Sequence, residues 1–124
     1  MATHFLDVGK QWVVDKMNDT SATTMNRIGW GTGAGTTAES DTTLFTESTE
    51  TRATGTISQQ TTTITGDTFQ CVGTMVANGT KTITNAGQFD AATAGNMLIK
   101  GDFAGVPVLL SDSIEFTFQL QATQ

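Results

Sequence analysis

The chain has 124 residues, a formal net charge of −6, 37% hydrophobic residues, 13 glycines and one proline. That length suits one domain with a single core, and six scattered basic residues argue against a phosphate-binding surface and hence against nucleic acid as a partner. One cysteine excludes an intrachain disulfide, and no apolar run approaches the ~20 residues of a membrane-spanning helix, so no membrane is expected as a partner.

Residues 5–17, FLDVGKQWVVDKM, set Phe5, Val8 and Trp12 on one helical stripe, with Leu6, Val13 and Met17 beside it. Asp7 is positioned to cap the start, and Gly9 weakens the helix by about 1 kcal/mol relative to alanine. NDTSATT then reads as loop. Residues 1–24 are therefore expected to form a helix or arm and a loop, which either docks on a partner or closes one end of the body that follows. The opening MATHFLDVGKQW has neither the basic nor the long apolar part of a secretion signal, so synthesis in a cytoplasm is expected.

From residue 25 to 124 the period changes to two, as expected for a single β domain. TRATGTIS reads as a polar strand, with Arg52, Thr54 and Thr56 opposite Ala53, Gly55 and Ile57. TGD at 65–67 is a turn. Asn78-Gly79 is a strong hairpin signal, because both central residues of such a turn take positive φ. AGQFDAATAGNML reads as a strand that buries Phe89, turns over small residues and returns through Met97 and Ile99. GVPVLL alternates Val106, Val108 and Leu110. SDSIEFTFQLQA directs Ile114, Phe116, Phe118 and Leu120 to a core, with Glu115, Thr117 and Gln119 outward. Six to eight short strands with frequent turns predict an all-β fold, an antiparallel β-sandwich or jelly roll with a short N-terminal helix or arm.

The chemistry-bearing residues are sparse. GWGTGAGTTAESDTT is glycine-rich, but no lysine or helix start follows it, so it reads as a wide loop rather than a phosphate cradle. His4 is the lone histidine, which leaves a hydrolase triad without its base and, beside the single Cys71, leaves zinc unsupported. Cys71 reads as a small buried hydrophobe. Glu39, Asp41, Glu47, Glu50, Asp102 and Asp112 read as solvated turn carboxylates, and no calcium-loop spacing occurs. The asparagines of NDT and NGT read as turn residues. No enzyme, metal or cofactor is expected.

Two stretches carry a resemblance. Gly29, Gly31, Thr32 and Gly33, followed by Asp41, Thr42, Thr43, Leu44 and Glu47 and an arginine-bearing strand, form the first. Ile83, Thr84, Ala86, Gly87, Phe89, Asp90, Ala91, Ala92, Gly95, Met97 and Leu98 form the second. Together they resemble small virion structural proteins of tailed bacteriophages. The resemblance implies a head decoration (cement) protein on the capsid exterior that binds the major capsid protein, assembled as a homotrimer. A tail- or fibre-associated protein is the alternative it leaves open. A carbohydrate-binding sandwich ranks below both, since only Trp12 and Trp30 are available as broad stacking surfaces. The expected contacts are Phe5, Leu6 and Trp12 of the N-terminal segment and the loop from Trp30 with Gly31, Gly33 and Gly35. Arg27 and Arg52 would serve as polar anchors.

Overall fold

In the computed structural model, which describes residues 2–123, the period-two segments pair into two antiparallel sheets that pack face to face. In chain order the elements are β1 (Ala2–Phe5), α1 (Asp7–Met17), β2 (Arg27–Gly31), β3 (Ala53–Thr54), β4 (Thr56–Gln60), β5 (Thr68–Val76), β6 (Lys81–Phe89), β7 (Met97–Val108) and β8 (Ser113–Gln121). The wider sheet has the order β1-β7-β6-β2-β3 and the narrower β4-β5-β8. The protein is an all-β sandwich with a short N-terminal helix.

The core lies between the sheets. Ile28 and Trp30 of β2, Ile83 and Ala86 of β6, and Ile99 and Val108 of β7 meet Cys71 and Met75 of β5 and Phe118 of β8. Alternation along β8 is as the sequence predicts: Phe118 is buried, Ile114, Phe116 and Leu120 are half-buried against the core, and Glu115, Thr117 and Gln119 face solvent. Trp30 meets Phe116 edge-on, with ring centroids 6.3 Å apart.

The N-terminal segment is built into this sandwich. Residues 2–5 form an edge strand on β7, so the helix starts two residues later than the stripe suggests. Asp7 does not cap it. Leu6 occupies that position without a side-chain bond, and the Asp7 amide donates instead to the Glu39 carbonyl at 2.8 Å. Trp12 and Val13 pack on the core, so the helix closes one end of its own sandwich.

Strand and turn expectations are corrected at three places. TRATGTIS is not one strand, because the chain changes sheets at Gly55, between β3 and β4. A Cβ at Gly55 would lie 2.5 Å from Cys71 Sγ, so only glycine passes that close to β5. Asn78-Gly79 makes no hairpin either. It joins β5 to β6, which lie in different sheets, and neither residue has positive φ. The tight turn with two consecutive positive φ values, 51° and 76°, is Ala94-Gly95, inside the small-residue run between β6 and β7. GVPVLL is a strand only as far as Val108, the position that is buried; Val106 is exposed, and Leu110 lies in the next turn.

Candidate functional site

The glycine-rich loop lies flat on a surface, and that surface is its own. On the outer face of the wider sheet the registers align Gly29 with Gly87 and Gly31 with Asn85, a shallow trough without bulky side chains. The segment after β2 lies in this trough. A Cβ at Gly31 would collide with the Phe45 carbonyl, and one at Gly33 would lie 2.6 Å from Thr46 Oγ1. Asn85 mimics a strand neighbour: its Oδ1 accepts from the Phe45 amide at 3.0 Å, and its Nδ2 donates to the Phe45 carbonyl at 3.1 Å. The Thr84 hydroxyl donates to the Gly33 carbonyl, and Asp102 accepts from the Thr37 amide at 2.8 Å. Leu44 completes a second small core with Leu6, Phe89 and Met97.

Three largely buried cations fasten this layer, and each has a carboxylate partner. Lys100, fully buried, donates to Asp41 and to the Thr43 carbonyl, both at 2.8 Å, and sits 3.3 Å from the Phe45 ring centroid. Arg52 binds Glu47 in a fork at 2.7 and 2.8 Å, stacks 3.5 Å over the Phe89 ring, and donates to the Ala91 and Ala94 carbonyls of the small-residue turn. Lys81 and Trp30 Nε1 both donate to Glu50, at 2.6 and 3.0 Å, while the Asn78 amide donates to the same carboxylate.

These contacts set the electrostatics. Burial pushes the Glu50 carboxyl up, but the bonds from Lys81, Ser48, Trp30 and the Asn78 amide outweigh it and hold the group well below the usual carboxylate range. Asp41 is lowered in the same way, its burial outweighed by Lys100 and the Ala38 amide. Asp67 is held low by the amides of Thr62, Ile64 and Thr63, and Asp102 by Thr37. Asp41, Glu47 and Glu50 are therefore ion-pair partners, not the solvated carboxylates expected from sequence. Burial pushes the Cys71 thiol up to about 11, which makes it a poor nucleophile. No group of His, Cys, Asp and Glu among the described residues is placed to hold a metal ion, and no described helix is long and apolar enough to cross a membrane.

Of the nine expected contact residues, Leu6, Trp30, Gly31 and Arg52 are buried in the chain's own fold, Trp30 with 1% of its surface exposed. Phe5, Trp12, Arg27 and Gly33 are half-buried, and Gly35 is exposed. Trp12 donates Nε1 to Thr23, and Arg27 donates to Thr54 across its own sheet. With Trp30 enclosed, the two broad stacking surfaces expected from sequence are reduced to the half-buried Trp12.

What the surface does present was missed from sequence. At the end of the sandwich away from α1, the β7–β8 turn exposes Leu109 and Leu110, 61% and 67% accessible. The turn is fixed, because Asp112 accepts from the Leu109 amide at 2.8 Å and Ser111 donates its amide to the Ala77 carbonyl at 2.9 Å. Leu110, extending the alternation of Val106 and Val108, reads as core; the position of the turn puts it outside. Comparison with family models, with curated proteins and with solved structures gave no match to this chain.

Proposed function

We propose that this chain is a tailed-bacteriophage virion structural protein that decorates the head, binding the assembled major capsid protein from the capsid exterior without a chemical step. The observation that carries the reading is the fixed β7–β8 turn that exposes Leu109 and Leu110, on a chain whose principal buried charges are paired internally. A rigid turn that keeps two leucines in water is suited to insertion between subunits of a larger assembly. The resemblance around Gly29–Glu47 and Ile83–Leu98 supplies the class of assembly. Mass action supplies the effect: a ligand that binds only the assembled shell stabilises it by about 2.7 kcal/mol per site at a hundredfold excess over Kd.

The test adds purified protein to heads stripped of it and measures retention and resistance to heat. Wild type is expected to bind and protect. Leu109→Asp with Leu110→Asp is expected to keep the β circular dichroism spectrum and weaken binding at least tenfold. Removing residues 1–18 is no substitute, because Leu6, Trp12 and Val13 belong to the cores. Equal robustness of stripped and restored heads, or fractionation of the chain with tails, would reject the reading.

A further inference from the structure

The two sheets are unequal in width, and the narrower one ends at β8. Beyond its free edge a cleft of about 330 Å³ opens onto Thr3, Gly101 and Phe103 of the wider sheet. Unpaired edges invite another strand, and proteins blunt them with short length, proline, bulges or inward charges. The other three edge strands among the described residues are short: β1 has 4 residues, β3 has 2 and β4 has 5. β8 has 9 residues, no proline, and an unbroken register against β5 from Thr68↔Gln121 to Val76↔Ser113. Its single charge, Glu115, points outward.

We propose that β8 pairs antiparallel with β8 of a second copy across a two-fold axis through Thr117, joining the two narrow sheets into one. Only this register uses every position of the strand. It sets Ile114 against Leu120 of the partner copy and Phe116 against Phe118 on the inner face. On the outer face Glu115 meets Gln119, and Thr117 meets itself. Each apolar residue thus meets an apolar one, and the two glutamates avoid each other. A chain at −6 repels its copy at long range, so self-association needs a segment nearly free of charge, which β8 is. The incoming strand also lies over the cleft and extends the aromatic row in which Phe116 already stands 6.4 Å from Phe103 and 6.3 Å from Phe118. The pairing does not rest on the head-decoration reading, and it replaces the homotrimer that the resemblance implies with a dimer.

The experiment is sedimentation equilibrium of the full chain over a range of concentrations, with variants at exposed Gln119. Wild type is expected at twice its 13.1 kDa mass. Gln119→Glu creates two like-charge pairs and is expected to weaken the dimer about tenfold; Gln119→Lys creates two opposite pairs and is expected to tighten it about tenfold. Circular dichroism confirms that both variants fold. Thr117→Cys is expected to form an intermolecular disulfide on oxidation, since facing strand residues lie within disulfide reach and the native thiol is buried. A monomer at every concentration, a trimer, the same shift from both Gln119 variants, or failure of Thr117→Cys to cross-link would overturn the proposal.

Discussion

Alanine at position 9 would improve helix propensity by about 1 kcal/mol, yet we expect it to destabilise the protein. Its Cβ would lie 2.7 Å from the Leu98 carbonyl oxygen and 2.8 Å from Leu98 Cα, both rigid backbone of β7. Forcing α1 outward should cost about 1–3 kcal/mol, as overpacking does, and thermal melting of Gly9→Ala checks the sign. Lys100 makes the opposite point, that burial of a charge is safe only with its partners. Removing Asp41 leaves the buried ammonium with one carbonyl and a ring, and Asp41→Ala should lose about 2–3 kcal/mol, the partial exposure of Asp41 trimming the full buried-pair cost. Adding Lys100→Met should recover most of the loss in chemical denaturation. A double variant as unstable as the single one would show that a stranded ammonium is not what destabilises Asp41→Ala.

Among the elements, β8 was legible because alternation needs only neighbours in sequence: four apolar residues at every second position form one buried face whatever they pack against. The small-residue turn after Phe89 was legible for the same local reason. The layer over the outer face was not. Residues 32–52 have no periodicity, and they are held by Asn85, Lys100 and Asp102, far along the chain. The glycines were visible, but a loop lying on its own sheet and one lying on a neighbour's need the same small residues. Asn78-Gly79 misled because the Glu50 carboxylate takes the Asn78 amide, and Lys81 the Asn78 side chain, which favours a link between sheets over a hairpin. If Asn85 does hold the layer, Asn85→Ala should free Phe45, and limited proteolysis should cut at Phe45 at least tenfold faster than in wild type. Unchanged cleavage would mean that the ion pairs suffice.

For the whole molecule the charge arrangement sets a pH limit. Glu50, Asp41, Asp67 and Asp102 titrate lower folded than unfolded, so their stabilisation is complete above the ordinary carboxylate range near pH 4 and is lost as pH falls through the folded values. The melting temperature should change little from about pH 7 to 5 on their account and drop steeply below about 4; a flat profile to pH 2 would contradict this. The same internal pairing leaves little positive surface, so binding to heads is expected to be equal on filled and empty expanded shells, which co-sedimentation measures. The strand order has a kinetic consequence as well. β5 takes as its partner β8, which follows it only after the whole β6–β7 hairpin. That hairpin can form from local contacts, whereas the narrow sheet must close a long chain loop first, so its closure is expected to limit folding to the slow, millisecond-to-second range of β topologies. Until β8 arrives, the β5 edge and the apolar side chains around Cys71 and Met75 stand open, and crowded synthesis at that moment favours the wrong strand over the right one.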